Sequence, residues 1–290
     1  MRIIMSPTNR AVKDTSLFLA FFLLALFSPH VPAAQSGEVH QDFARICAKG
    51  KLTVAMHSVD VKPFFVHKKN GELIGFDVDI AKDIAQRIGV ELELNREART
   101  FDEVVELVAD RKADIAVSML SDTLKRAMKV RFTEPYITLY RALVVNRLEL
   151  AKKKKLMSDL FLTLNVKGIK IGVIDGSSYI GFAKEDFPKA TIVPYKDWDS
   201  VMQAVLIGEI FAGQYDNNEA ANWSFDHPES ALYIKTVLLK GKKDTLSFAT
   251  HNEDEYLLYW LNLYIKKMQN DGTYEMLMKK YFSDERINIE

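Results

Sequence analysis

The stretch SDTLKRAMKVRFTEPY, residues 121–136, places two hydroxyl side chains just ahead of an arginine. Ser121 and Thr123 precede Arg126 and follow an apolar run that is typical of a buried strand. A guanidinium matches a carboxylate in a two-pronged hydrogen bond, and the N–H groups at a helix start add further donors. For an arbitrary arginine a surface salt bridge would be the better interpretation, but the position of Arg126 after a buried strand and a two-hydroxyl loop favours a ligand contact. The stretch therefore predicts either a solvated arginine or an anion receptor.

Asp216 supplies the opposite charge at the end of another apolar segment, EIFAGQY. Its carboxylate is an acceptor for an ammonium group, so Arg126 and Asp216 facing one gap would recognise a zwitterion such as an α-amino acid. By itself, an aspartate here equally fits a turn or a helix cap. Ser177 and Ser178 similarly fit the cap of the helix that follows them, as well as a ligand contact.

Alternating strands and helices must bring these residues together, because ligands bind at the carboxyl ends of strands in open α/β sheets. The apolar patterns predict two β-α-β-α-β units and therefore two α/β lobes. Predicted strands are 51–56, 90–94, 114–120, 168–174, 190–195 and 209–215. Predicted helices start near 76, 101, 178, 199, 253 and 273, with capping boxes at Thr100–Glu103 and Asn252–Glu255 and a hairpin at Asn70-Gly71.

The N-terminus has the layout of a secretory signal. Arg2, Arg10 and Lys13 precede the apolar run 17–27, and the small residues of VPAAQ follow. The run extends ~16 Å as a helix, whereas a hydrocarbon layer of ~30 Å must be crossed by a membrane anchor. We predict a signal peptide over residues 1–34 and a periplasmic mature protein, with an uncleaved anchor as the alternative.

Composition argues against several other classes of protein. Lys and Arg number 39, as do Asp and Glu, so bulk charge does not favour nucleic acid. The one cysteine, Cys47, has no partner for an internal disulfide, and the six histidines show no pair at metal-ligand spacing. No Gly-x-Ser-x-Gly elbow is present. We therefore predict no catalytic residue, no metal and no cofactor.

Several motifs together resemble one family. S-x-T-x-x-R followed by F-T-E-P-Y resembles the T-x-T-x-x-R…F-S-x-P-Y signature of the family 3 extracellular solute-binding proteins, the periplasmic amino-acid receptors of ABC importers. GELIGFDVDIAKDIAQRIG, DGSSY and DGTYEMLMKKYF are similar to further motifs of that family. The resemblance runs from about Lys51 to Phe282.

The resemblance implies an α/β, two-lobed periplasmic-binding-protein-like (type II) fold. Each lobe would hold a mostly parallel sheet flanked by helices, with two crossings forming a hinge. We expect the crossings near 144–147 and 240–246. The predicted lobes are 48–145 plus 242–290, and 146–241.

The resemblance also implies which residues contact the carboxylate of the ligand and which contact its other end. Arg126 would clamp the ligand α-carboxylate, and Ser178, with Ser177, would close on it from the second lobe. Ser121 and the main chain near Met119 would contribute at the other end of the ligand.

The resemblance assigns the ligand α-ammonium to Asp216 and an aromatic wall to Phe101. The ligand side chain is left open. Asp60, in the first loop, fits a contact to a cationic side chain or a solvated loop aspartate. His57 and Arg99 instead favour a polar or acidic ligand.

The predicted function is to bind a polar or charged α-amino acid between the lobes and deliver it, as a monomer, to an ABC importer permease. The alternative is a periplasmic enzyme on the same fold, similar to cyclohexadienyl or arogenate dehydratases. Those enzymes need an acid by the helix start of the second lobe. SSYIGF, residues 177–182, contains none, although Glu185 and Asp186 lie near enough to keep the alternative open.

Overall fold

A computed structural model describes residues 40–153 and 160–282, so the predicted signal peptide, residues 1–34, lies outside the described residues. The first elements are α1 Gln41–Lys49, β1 Lys51–Ala55, β2 Val66–His67, β3 Leu73–Ile74, α2 Phe76–Ile88, β4 Glu91–Asn95, α3 Phe101–Ala109, β5 Ile115–Ala116, α4 Leu124–Ala127 and β6 Val130–Phe132. Next come β7 Ile137–Asn146, α5 Arg147–Lys152, α6 Leu160–Leu164, β8 Lys170–Ile174, α7 Tyr179–Asp186, β9 Thr191–Tyr195 and α8 Trp198–Leu206. The chain continues through β10 Ala212–Asp216, α9 Asn217–Asp226, a 3₁₀ turn Pro228–Leu232, β11 Ile234–Leu246, β12 Ala249–His251, α10 Glu255–Asn270 and α11 Thr273–Phe282.

Two five-stranded sheets carry the structure, in the orders β4-β1-β5-β12-β6 and β11-β7-β10-β8-β9. We call each sheet with its helices the first and second lobe. In the first sheet only β12 runs against the other four strands, and in the second only β7 does so. The mostly parallel, two-lobed α/β architecture is therefore confirmed.

The chain passes between the sheets at two short segments. It leaves the first sheet after Phe132, enters the second at Ile137, and returns between Leu246 and Ala249. The segments expected as crossings, 144–147 and 240–246, instead lie mostly within β7 and β11, which pair along their length from Ile137↔Leu246 to Ile234↔Asn146. Two long neighbouring strands satisfy each other's backbone groups, so these segments form sheet. The lobe limits given above remain predictions.

Local patterns set the helices where the sequence predicts them. In α2, Phe76, Ile80 and Ile84 are fully buried on one face, and Gly89 ends the helix in the left-handed conformation at φ 85°. Thr100 caps α3 by accepting a hydrogen bond from the Glu103 N–H at 3.1 Å. The two-stranded hairpin of β2 and β3 is also present.

The predicted strand 114–120 is wrong in length, since only Ile115–Ala116 is paired as a strand. Beyond it, two side chains join the backbone hydrogen bonds of this segment. Ser118 Oγ accepts the His57 N–H at 2.9 Å, and Asp77 Oδ2 accepts the Met119 N–H at 2.8 Å. The backbone therefore turns early and enters a loop.

The expected capping box at Asn252 is also wrong. Helix α10 begins at Glu255, and its free N–H groups are satisfied from another part of the chain. Asp42 Oδ2, on α1, accepts hydrogen bonds from Tyr256 N and Leu257 N at 3.0 and 3.1 Å. A buried carboxylate from a distant helix thus replaces the local cap.

Candidate ligand-binding site

A small cavity, open in part to solvent, lies between the two lobes. Six residues expected at the site line it together: Phe101, Met119, Ser121, Arg126, Ser177 and Ser178. Three further lining residues, Tyr179, Tyr215 and Asp244, were not expected.

Arg126 is held almost entirely by its own lobe. The hydroxyl of Thr123 accepts its N–H and starts α4, and the side chain is only 4% exposed. Nε donates to Asp102 Oδ1 at 3.0 Å, and Nη1 donates to the Ser121 carbonyl at 3.3 Å. Nη2 lies 2.9 Å from Asp102 Oδ1 in an ion pair but has no hydrogen-bond partner. The guanidinium is therefore fixed in place and keeps donor capacity for a ligand.

The two serines of the DGSSY turn have different contacts: one organises the helix start, and the other faces the cavity. Ser177 Oγ donates to the Ile174 carbonyl at 2.6 Å and accepts the Tyr179 N–H at 3.3 Å, so it organises the start of α7. Ser178 makes no capping bond with its side chain. Its Oγ lies 2.8 Å from Ser121 Oγ on the first lobe, so this hydroxyl faces the opposite wall of the cavity.

Met119 stands at a strained bend, with a positive φ of 52°. Asp77 holds the bend, because its Oδ2 accepts the Met119 N–H and its Oδ1 accepts the Tyr136 hydroxyl at 2.8 Å. Asp77 is completely buried, and this burial raises its pKa to about 7. The sequence analysis did not identify Asp77 as a positioning residue. The feature that could have indicated it is an aspartate between apolar residues at the start of α2.

Phe101 forms an aromatic pair at the edge of the cavity. Its ring stacks on that of His57, with centroids 4.5 Å apart. His57 is buried, and burial lowers its pKa, which favours the neutral imidazole. The pair therefore presents a flat, largely apolar surface beside the charged groups.

Asp216 combines a capping role with an unused oxygen. Its Oδ1 accepts the N–H groups of Asn218 and Glu219, both at 2.9 Å, at the start of α9. Its Oδ2 is buried without a partner, and the residue is not among those that line the cavity. Burial raises the pKa of Asp216 to about 7, and the nearby charge of Asp244 acts in the same direction.

Asp60 lies away from the cavity in a surface cluster of charges. Its carboxylate accepts from Arg96 Nη2 at 3.0 Å and from the His67 backbone at 2.8 Å, and it pairs with the His67 ring at 3.0 Å. These contacts occupy the carboxylate. The structure therefore does not bring Asp60 together with the other candidate residues.

Asp244, on β11, is the charged residue that sequence reasoning missed. It is 2% exposed, it lines the cavity, and its Oδ1 has no hydrogen-bond partner. Burial raises its pKa to about 6, against the lowering effects of the Ser121 and Tyr179 hydroxyls and of two nearby arginine charges. The signal in the sequence was one aspartate in KGKKDTLSF, just before the chain returns to the first lobe.

Direct contacts join the lobes around the cavity. The Asp102 N–H donates to the Gly176 carbonyl at 2.9 Å. On another side, the side-chain amides of Asn218 and Asn222 both donate to the Lys62 carbonyl, at 3.1 and 3.0 Å. Hydrogen bonds therefore hold the two lobes together in this arrangement.

Within the described ranges 40–153 and 160–282, no group of three or more His, Cys, Asp or Glu side chains is arranged to hold a metal ion. Over the same ranges, no helix has the length and apolar character needed to cross a membrane.

Comparison with known proteins points to one family. Residues 52–284 match the bacterial extracellular solute-binding proteins, family 3. The histidine-binding periplasmic protein of Escherichia coli K12 is 32% identical over 229 residues, which cover 76% of this chain and 83% of that protein. The lysine/arginine/ornithine-binding periplasmic protein of the same strain is 27% identical over 226 residues, covering 76% of this chain and 83% of that protein.

Solved structures agree with this match. The ancestral amino acid-binding protein AncCDT-1, described as a precursor of cyclohexadienyl dehydratase, aligns with a TM-score of 0.69 at 32% identity. That alignment covers 83% of this chain and 99% of the ancestral protein. A putative binding component of an ABC transporter from Wolinella succinogenes, complexed with lysine, aligns with a TM-score of 0.70 at 27% identity and covers 82% and 97% of the two chains.

Proposed function

Because the chain belongs to the bacterial extracellular solute-binding proteins of family 3, we propose that it binds a polar or charged α-amino acid between its lobes and delivers it to an ABC importer permease. The observation that carries the proposal is a cavity between the lobes with a buried guanidinium and a buried carboxylate in its wall, at Arg126 and Asp244. Opposite charges in one small cavity suit a zwitterion. The relatives named for histidine and for lysine, arginine and ornithine support the same class of ligand.

In this proposal the α-carboxylate binds to Arg126 Nη2 and to the Ser178 hydroxyl. Ser121, expected from the sequence at the other end of the ligand, is reassigned to the carboxylate because its hydroxyl lies 2.8 Å from that of Ser178. Asp216 does not line the cavity in this arrangement, and we propose that its free Oδ2 accepts the α-ammonium once the ligand is bound. Phe101 packs against the ligand side chain. Each charge-assisted hydrogen bond contributes ~1.5–3 kcal/mol, so several of them together support micromolar binding, ~8 kcal/mol.

Binding stabilises the closed arrangement of the lobes. The ligand first contacts the arginine wall, and the serine turn of the second lobe then completes the site, which favours closure by differential affinity. The protein acts in the periplasm after removal of residues 1–34, as a monomer without catalytic activity. The closed form is the one presented to the permease.

Calorimetric titration of refolded, ligand-free protein with the common amino acids tests the proposal. Arg126→Ala should weaken binding of the preferred amino acid by at least ~100-fold, because it removes charge-assisted bonds that together contribute ~3 kcal/mol or more. Arg131→Ala is the matched control, since Arg131 pairs with Glu255 on the surface, and it should bind as the wild type does. An Arg126→Ala variant with wild-type affinity and an intact circular dichroism spectrum would contradict the proposal.

An enzyme similar to a cyclohexadienyl dehydratase is the second candidate. The observation in its favour is that Asp244, an acid with a pKa of about 6, lines the cavity, although the serine turn itself has no acid. Incubation with prephenate, followed by detection of an aromatic product, separates the two functions. Turnover without amino-acid binding would favour the enzyme.

A further inference from the structure

The cavity wall contains a carboxylate that has no cation of its own. Asp244 is 2% exposed, and its Oδ1 is unpartnered. Two arginines are near enough for their charge to act on Asp244, but each forms an ion pair with another carboxylate. Arg126 pairs with Asp102 at 2.9 Å, and Arg141 pairs with Asp186 at 3.2 Å. Among the described residues, Asp244 therefore has no ion-pair partner.

A second carboxylate in the same region is also without a cation. Asp216 Oδ2 is buried and unpartnered, and Asp216 and Asp244 are close enough for the charge of one to disfavour ionisation of the other. Buried, unpaired carboxylates are unfavourable unless a positive group binds to them. An α-amino acid brings one ammonium, and its carboxylate binds to Arg126, so one of the two aspartates is left without a positive partner.

We propose that Asp244 binds a second positive group of the ligand and thereby selects α-amino acids with a cationic side chain. This inference rests on the proposed function, because it assigns the ligand α-carboxylate to Arg126 and the α-ammonium to Asp216. It adds a specificity-determining residue on β11, a strand whose end leads back to the first lobe. The Asp244 carboxylate provides the charge, and the neighbouring Tyr179 and Ser121 hydroxyls help to orient it.

Pairs of ligands that differ in side-chain charge but little in shape test this role. Arginine is compared with citrulline, and lysine with 2-aminoheptanoate, in calorimetric titrations of the mature protein. We expect the wild type to bind at least one cationic member more tightly than its neutral counterpart by about tenfold or more, as expected for one buried charge-assisted bond. Asp244→Asn, which keeps the shape and removes the charge, should reduce that ratio by a similar factor.

Asp216→Asn is the matched control, because both members of each pair carry the same α-ammonium. It should weaken both ligands by a similar factor and leave their ratio unchanged. Circular dichroism and thermal unfolding show that each variant is folded.

Three results would overturn the inference while leaving the proposed function intact. These are equal wild-type affinity for the charged and neutral members of both pairs, equal losses for both members in Asp244→Asn, and tight binding of only uncharged or acidic amino acids. If the wild type binds no amino acid at all, the proposed function itself fails. Affinity ratios thus test Asp244, whereas the existence of binding tests the receptor.

Discussion

Three carboxyl groups of the second lobe, of which only Asp244 lines the cavity, have a raised pKa. Burial raises the pKa of Asp244 to about 6, of Asp216 to about 7 and of Glu219 to about 8. Each also has a buried oxygen without a hydrogen-bond partner: Oδ1 of Asp244, Oδ2 of Asp216 and Oε2 of Glu219. Without a positive group these side chains hold protons more strongly than usual. In the proposed function, the protonation of Asp216 and Asp244 is therefore linked to the binding of a cation.

This linkage predicts that affinity for a cationic amino acid falls in acid. A bound ammonium or guanidinium favours the charged carboxylate, so the pKa values of Asp216 and Asp244 drop on binding and protons are released. Binding is strongest above about pH 7 and weakens as the pH falls through 7 and 6, where the free protein takes up those protons. The dissociation constant for arginine should rise about tenfold or more between pH 7.5 and pH 5.

Calorimetry in buffers of different ionisation enthalpy measures both the affinity and the protons released. Asp244→Asn should show a smaller acid dependence than the wild type, because one of the linked groups is gone. Tighter binding at pH 5 than at pH 7.5 would be incompatible with carboxylates that bind cations here.

Single residues differ in how far the sequence predicts their place. The spacing of Ser121, Thr123 and Arg126 depends on one loop and one short helix, so the local sequence contains the needed information. Asp244 lies over a hundred residues further on and reaches the cavity only because β11 pairs with β7 and ends beside the first lobe. Asp60 is the opposite case. It was a candidate ligand contact in the sequence, whereas in the structure its carboxylate contacts Arg96 and His67, which belong to two other segments. These are tertiary contacts, and no local sequence pattern predicts them.

At the scale of elements, the turn before α7 fits against the start of α3 because it contains a glycine. Gly176 has a φ of 61°, and a Cβ placed on it would lie 2.5 Å from the Thr100 Cβ of the opposite lobe. The Gly176 carbonyl also accepts the Asp102 N–H across the interface. Any side chain at this position forces the two elements apart.

Gly176→Ala should therefore weaken ligand binding more than it weakens the fold. The added methyl clashes only when the lobes are closed, whereas the unfavourable left-handed conformation costs ~1–2 kcal/mol in either state. Gly168→Ala is the matched control, because Gly168 also has a positive φ, of 86°, and a methyl added there would meet no atom within 4 Å. We expect an affinity loss of about tenfold or more in Gly176→Ala and none in Gly168→Ala, with similar decreases in thermal stability. Equal affinities in the two variants would rule out the clash.

Helices and strands could be predicted from the sequence where the residues that determine them are close together in the chain. The apolar stripe of α2 and its terminal glycine fixed both the helix and its end, as did the Thr100 cap of α3. The strand expected over 114–120 stops at Ala116; after it, Ser118 Oγ accepts the His57 N–H and Asp77 accepts the Met119 N–H. An apolar run gives no sign of these side-chain hydrogen bonds.

At the scale of the whole molecule, one of the two buried apolar clusters spans both lobes, and the other, which includes Leu143, Ile171 and Phe187, lies in the second lobe. A continuous buried cluster contains Val54 and Ile115 of the first sheet and Val173 and Tyr215 of the second. Phe101 and Met119, which line the cavity, belong to the same cluster. A ligand bound in the cavity therefore contacts the buried cluster that spans the two lobes. We expect it to stabilise both lobes against unfolding.

The last prediction is that a bound amino acid raises the midpoint of a single thermal transition. A ligand that binds only the folded protein at 100 times its dissociation constant stabilises it by ~2.7 kcal/mol. In a domain of 150–250 residues, ~1 kcal/mol shifts the midpoint by ~2–4 °C, so a rise of ~5–10 °C is expected. Differential scanning calorimetry of the mature protein measures the shift, and Arg126→Ala, mixed with the same ligand concentration, should show almost none. Because the cluster joins both lobes, the whole transition should move; two separate transitions, of which the ligand shifts only one, would show that the lobes unfold independently.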